Sequence, residues 1–203
     1  MKQSFICFMV VSALALAVGC AKPPADKLAT AEKAVNEARA AGAPTYVAED
    51  FAKLEGMLTT AKKEIAEQDA KLALLRDYGK AEQLLAAVEA DAARVNTEAA
   101  KKKEEAKAAA LQAQHAAQEA LKTTQELVKK APVGKDQAAL QAIKAVARGL
   151  TASLSEVQTA LDAGDYQAAQ TKAKAIQEKS QAVQAEIQRA MTKVGAAKAQ
   201  KGK

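Results

Sequence analysis

The chain has 203 residues, a net charge of +6 from 30 basic and 24 acidic side chains, and 49% hydrophobic residues, with alanine alone at 53 positions. From Cys20 onward Leu, Ile, Val and Phe make up 30 of 184 residues, under the roughly 20% at which disorder becomes an alternative, while the net charge is too small to meet its companion condition. This excludes a thick globular core and a large β-sheet and leaves a thin, alanine-rich, all-α assembly.

The first element is an address. Lys2 supplies a short positive region, Phe5 to Val18 is a nearly unbroken apolar run, and the run ends in Leu16-Ala17-Val18-Gly19-Cys20. Such a run is shorter than the about 20 residues that cross a bilayer and reads as a processed signal peptide. Its ending resembles a bacterial lipobox, with a small residue before cysteine, although Ala17 stands where that family usually has Leu. The resemblance implies cleavage between Gly19 and Cys20, a diacylglycerol thioether on Cys20 and an N-acyl group on the new terminus, hence an anchor in the lipid bilayer. Ala21, in place of an inner-membrane-retaining Asp, points to the outer membrane of a Gram-negative host, with the body facing the periplasm. Cys7 leaves with the leader and Cys20 carries lipid, so no thiol remains for a disulfide, metal or nucleophile.

The body reads as helices. Ala21-Lys22-Pro23-Pro24 suits a short extended tether. A helix then runs from about Asp26 to Ala41 and stops at the breaker Gly42-Ala43-Pro44. A second starts near Ala48 with the seam Phe51, Leu54, Leu58, Ala61 and Ile65 at alternating three-and-four spacing. Over Asp69 to Asp77 two readings stay open, a connection or a helix continued through Leu72, Leu74 and Leu75. A third helix from about Tyr78 meets no breaker before Pro132, which makes it about 75–80 Å long at helical rise. Its stretch from Asn96 to Ala110 has no large apolar residue and reads as a solvated bridge. A fourth helix follows with Asp136 as N-cap and the seam Leu140, Ile143, Ala147, Leu150, Leu154, Val157 and Leu161. After a tight turn at Gly164-Asp165, a fifth carries Tyr166, Ala169, Ala173, Ile176, Ser180, Val183, Ile187, Ala190 and Val194.

Two landmarks recur at an offset of 88: Ala43-Pro44 with Ala131-Pro132, and Asp77-Tyr78-x-x-Ala81 with Asp165-Tyr166-x-x-Ala169. A fixed offset is the mark of an internal repeat. The expected architecture is an elongated antiparallel bundle of two helical-hairpin modules on one long central helix. Its segments are a leader over 1–19, a lipidated tether over 20–25, modules over 26–95 and 111–194, a bridge over 96–110, and a flexible basic tail over 195–203.

Ala31-Glu32-Lys33-Ala34, Ala38 to Ala43, Pro44-x-Tyr46, Leu54, Leu58, Tyr78-x-x-Ala81 and Ala90-Asp91-Ala92 resemble an alanine-rich helical domain of unknown function. It is found in bacterial lipoproteins, sometimes ahead of an OmpA-like peptidoglycan-binding domain. The resemblance covers roughly Leu28 to Val95 and brings no catalytic residues with it.

Chemistry is sparse. The one histidine, His115, sits in an Ala/Gln-rich stretch without a companion ligand, the carboxylates are scattered among lysines, and the nine glycines form no phosphate loop. We therefore expect no enzyme, no metal and no cofactor beyond the lipid on Cys20. Export and the scarcity of stacking aromatics also argue against nucleic acid. Tyr46, Tyr78 and Tyr166 lie at helix starts, where rings can cover a bundle end while hydroxyls reach water. After Glu186 the chain has no acid but carries Arg189, Lys193, Lys198, Lys201 and Lys203. A solvated basic tail is one reading of this end; contact of Lys198, Lys201 and Lys203 with peptidoglycan is another. The terminal Lys203 resembles that of Braun-type lipoprotein, which implies a covalent wall linkage. The leading functional expectation is a spacer or adaptor for an envelope protein, with self-association through exposed seams. The alternatives are a peptidoglycan tether and a carrier holding an apolar ligand between the modules.

Overall fold

Alanine, leucine, lysine, glutamate and glutamine dominate the body of the chain, and these are the strongest helix formers. The computed structural model describes residues 21–131 and 137–201, and the fold is all-α, without a strand among the described residues. Six helices follow one another among them: α1 (Ala25–Ala40), α2 (Ala43–Tyr46), α3 (Ala48–Asp69), α4 (Gly79–Lys130), α5 (Gln137–Asp162) and α6 (Tyr166–Lys201). A 3-10 turn at Ala73–Leu75 separates α3 from α4. The leader with Gly19 and Cys20, the Pro132-Val133-Gly134 breaker, the expected cap Asp136 and the terminal Lys203 lie outside the described residues.

The chain divides into two compact units between Lys102 and Lys103. The long helix α4 does more than join them, since its first half closes one core and its second half closes the other. Each unit is therefore a three-helix bundle, a helical hairpin closed by its own half of the long helix.

In the first unit α1, α3 and the start of α4 run up, down and up. The pairs Arg39–Glu55 and Lys62–Glu32 (2.7 Å) set α1 antiparallel to α3, and Lys80–Glu64 (2.5 Å) and Arg94–Asp50 (3.4 Å) set α3 antiparallel to α4. Lys27–Glu82 (2.6 Å) brings the beginnings of α1 and α4 together. The core is formed by Val35, Phe51, Leu54, Leu85, Val88 and Val95 among small Ala31, Ala38, Ala61, Ala81 and Ala92. Alanine lets the helix axes approach closely, so a few large side chains are enough to fill the gap. Gly42 ends α1 with φ of 95°, a left-handed conformation that glycine adopts without steric cost. Its α-carbon also faces the Tyr46 ring, where an added methyl would stand 3.0 Å from Cδ2. Pro44 then opens the short α2, as its fixed φ favours the first helical turn.

The second unit repeats the plan with α4, α5 and α6. Gln114 Nε2 donates to Gln158 Oε1 (2.8 Å) between α4 and α5, Lys172 pairs with Glu156 (2.5 Å) between α5 and α6, and Gln184 Nε2 donates to the Ala120 carbonyl (2.8 Å) between α6 and α4. Leu121, Leu150, Val157 and Ile176 pack among Ala110, Ala117, Ala169 and Ala173. Gly164, at φ of 75°, turns the chain from α5 into α6, and Asp165 Oδ1 caps α6 by accepting from the Ala168 N–H (3.0 Å).

Several expectations need correction. The solvated bridge is shorter than 96–110: Ala99 is fully buried in the first core and Ala110 in the second, because alanine at seam spacing can still pack. The expected flexible tail, read from Gly195 and Gly202, needs revision over its described part: the backbone of α6 stays helical through Lys201, as the alanines after Gly195 outweigh that glycine. Ala190 faces solvent despite its seam spacing. Finally, Ala21 to Pro24 is no free tether: Pro24 is buried, its carbonyl accepts from the Leu28 N–H (2.9 Å), and Ala21 packs against the first core.

Candidate functional site

The features that distinguish this chain from a plain bundle gather at one end of the first unit. The antiparallel register of α1 and α3 and the Lys27–Glu82 pair place the start of α1, the end of α3 and the start of α4 side by side. The entering segment Ala21–Pro24 and the connection Ala70–Tyr78 therefore share that end. Cys20, the expected lipid site, is the residue covalently preceding Ala21.

The connection is built, not slack. Nothing in Ala70-Lys71-Leu72-Ala73-Leu74-Leu75 breaks a helix by itself, yet α3 stops at Asp69 and Leu72 is extended at ψ of 141°. The stop is enforced from farther along the chain. Arg76 donates from one terminal nitrogen to the Asp69 carbonyl (2.9 Å) and from Nε to the Lys71 carbonyl (3.1 Å), satisfying acceptors that the helix end leaves open. The Asp77 N–H donates to Gln68 Oε1 (3.1 Å), and Asp77 Oδ1 accepts from the Gly79 N–H (2.9 Å). The Tyr78 ring is buried and its hydroxyl donates to Asp69, a correction to the expected water-facing hydroxyl. This bond to the neutral phenol, with burial, pushes the Tyr78 pKa upward.

Beneath this turn lies a buried carboxylate. Glu64 is 7% exposed and accepts from Lys80 Nζ (2.5 Å) and Gln68 Nε2 (2.9 Å). The hydrogen bond from Lys80, then that from Gln68, holds Glu64 below the usual carboxylate range, and the same contact with Glu64 raises Lys80. The three leucines of the connection face the other way. Leu72, Leu74 and Leu75 are 77%, 75% and 67% exposed, the most exposed large apolar side chains among the described residues. Continuing α3 would have put Leu72 and Leu75 on its seam; the stop at Asp69 turns them to solvent instead. Sequence reasoning left this segment open because its determinants, Arg76, Tyr78 and Gln68, act through side-chain bonds back across the turn that neither propensity nor periodicity registers.

The other expected site residues are scattered. Lys198 and Lys201 lie on α6, and Lys203 is outside the described residues. His115 is exposed on α4, 3.8 Å from Glu119. Among the described residues no group of three His, Cys, Asp or Glu side chains is placed to hold a metal ion, and no helix is long and apolar enough to cross a membrane. A groove of about 430 Å³ runs between α1 and α3, its walls carrying Glu32, Arg39, Glu55 and Lys62 around Val35 and Leu58. A smaller one of about 240 Å³ lies between α4 and α5, where Lys129, Lys144 and Arg148 surround Val128 and Ala147. No family model, curated protein or solved structure matches the chain.

Proposed function

We propose that this chain is a non-enzymatic lipoprotein of the bacterial outer membrane, anchored through acyl chains on Cys20 and facing the periplasm as a structural spacer or protein adaptor. The observation that carries this reading is how the chain enters the body right after Cys20. The residue after Cys20 already packs on the first bundle, so an acyl anchor would hold the folded unit at the bilayer with almost no slack. More than one acyl chain on Cys20 makes such anchoring stable, because each buried methylene contributes about 0.8 kcal/mol. Beyond the anchor, two three-helix units present faces of mixed charge, suited to an envelope partner more than to a reaction. The test is fractionation of cells expressing the chain and its Cys20→Ser variant. The wild-type chain should sediment with outer membrane and leave it only in detergent, and the variant should lose that fraction. Identical distribution of the two contradicts the reading.

A second reading, contact with peptidoglycan, is favoured by the continuation of α6 to Lys201, which sets Lys198 and Lys201 three residues apart on neighbouring helical positions. Purified sacculi boiled in detergent should keep the chain if Lys203 is joined to the wall and should release it after deletion of Lys203.

A further inference from the structure

The two units solve the same corner differently. In the second, α5 passes into α6 through Ala163-Gly164-Asp165 alone. In the first, nine residues, Ala70–Tyr78, lie between α3 and α4. A three-residue turn thus suffices to close this kind of corner, and the extra residues serve no need of chain reversal. They are also not loose: Arg76, Asp77 and Tyr78 fix the segment with hydrogen bonds to Asp69, Lys71 and Gln68. The result is a held turn that shows Leu72, Leu74 and Leu75 to solvent. Three neighbouring exposed leucines on a structured turn mark an interaction surface.

We infer that the Leu72-Ala73-Leu74-Leu75 turn is a second membrane contact, which dips into the same leaflet that receives the acyl chains of Cys20. This inference rests on the anchor reading above. Its occupant follows from position, because Ala21 packs at the end of the bundle that carries the turn. Any surface holding acyl chains on Cys20 therefore meets the leucines. Charge points to the hydrocarbon and not to a particular headgroup. Asp69 and Asp77 balance Lys71 and Arg76, Arg76 is engaged by backbone carbonyls, and Asp69 accepts from Tyr78. Insertion should thus proceed in a zwitterionic bilayer and resist salt. Two points of attachment at one end would also fix the tilt of the first unit, which a single flexible anchor cannot do.

The absence of tryptophan from the sequence makes the test clean. The mature chain carrying Leu74→Trp, purified from its producing cells, is reconstituted into phosphatidylcholine vesicles with brominated acyl chains. A Thr45→Trp chain, with its reporter at the opposite end of the first unit, serves as control. The Leu74→Trp emission should shift to the blue and lose most of its intensity to bromine, while the control emission stays aqueous and unquenched. Adding Leu72→Asp and Leu75→Asp should restore the aqueous spectrum with helix content unchanged, since all three positions are exposed. Intact mass of the same preparation reads the anchor separately. A lipidated chain whose Leu74→Trp reporter is unquenched overturns the membrane contact and leaves the anchor standing; an unlipidated chain overturns both. A blue shift that grows with protein concentration in vesicle-free detergent, without quenching in vesicles, assigns the turn to a second copy and overturns the inference.

Discussion

The final helix of each unit follows one spacing with different side chains. Ala81, Leu85, Val88, Ala92, Val95 and Ala99 of α4 are all buried, and so are Ala169, Ala173, Ile176, Ser180, Val183 and Ile187 of α6, each 88 positions later. The first set has its bulk near the turn, at Leu85, and ends in alanine; the second starts small and ends in Ile187. Core volume can move along a thin bundle as long as the three-and-four spacing holds. The ties between helices differ as well. Among the described residues the first unit is cross-linked by five ion pairs, the second by one ion pair and by neutral amide and hydroxyl groups of Gln114, Gln158, Thr124 and Gln184. Exposed pairs contribute only up to about 1 kcal/mol each, so the stronger distinction is the buried Glu64 carboxylate beneath the leucine turn, held by Gln68 and by a Lys80 that reaches it from solvent.

Exchanging the bulk is the harshest way to break this comparison. Leu85→Ala should cost about 2–5 kcal/mol through a cavity in the first core. Ala173→Leu, at the matching position of the second, should cost about 1–3 kcal/mol through overpacking. Urea midpoints measure both. A negligible loss for Leu85→Ala would mean that the first core collapses freely around alanine. Next in size are the two glycine turns. Gly42→Ala should cost more than Gly164→Ala: both incur about 1–2 kcal/mol for a left-handed alanine, but only at Gly42 does the new methyl meet a ring. Equal losses would show that the Tyr46 ring moves aside.

The buried carboxylate sharpens the contrast through pH. The folded-state value of Glu64 lies below its unfolded one, so its stabilisation is present above about pH 4.3 and is lost as pH falls through the folded value. Lys80 and Tyr78 are raised; their contributions are present below about pH 10 and are lost as pH climbs through the folded values. Glu64→Gln should therefore flatten the acid limb of a urea-midpoint profile. Glu156→Gln in the second unit should hardly change it: Lys172 lowers Glu156 too, but Glu156 is 61% exposed and screened by solvent. The smallest expected effect is a gain. Ser180 stands where the first unit has Ala92, and its buried hydroxyl finds no hydrogen-bond partner among the described residues. Ser180→Ala should leave stability unchanged or raise it by up to about 1 kcal/mol in the same urea measurement; a clear loss would reveal a partner for the hydroxyl.

Spacing made much of this fold legible. The seam from Phe51 to Ile65 and that from Ala147 to Leu161 are inside or half-buried as expected, and the breaks at Gly42 and Gly164 fall where glycine placed them. The spacing also hid something. The middle helices align at an offset of 96 and the last helices at 88. Eight more residues therefore separate Ile65 from Tyr78 than separate Leu161 from Tyr166. Those residues are good helix formers and two leucines keep the seam register, so local propensity and periodicity both favoured a longer helix. Arg76 on the Asp69 carbonyl and Tyr78 on the Asp69 carboxylate decide otherwise, and such bonds back across the turn leave no periodic trace. The buried Glu64 was equally hidden, because a glutamate among lysines reads as a solvated face until Lys80 and Gln68 are seen to enclose it.

The first unit thus carries the entering segment Ala21–Pro24, the buried Glu64 carboxylate and the leucine turn at one end, and the second repeats the scaffold without a counterpart of that turn among the described residues. The most direct test is the intact mass of the mature protein isolated from a Gram-negative envelope. The account predicts a chain that begins at Cys20 and carries diacylglycerol and an additional N-acyl group, with the added mass lost in Cys20→Ser. A mature chain of unmodified mass, whether cleaved elsewhere or still bearing residues 1–19, would contradict it.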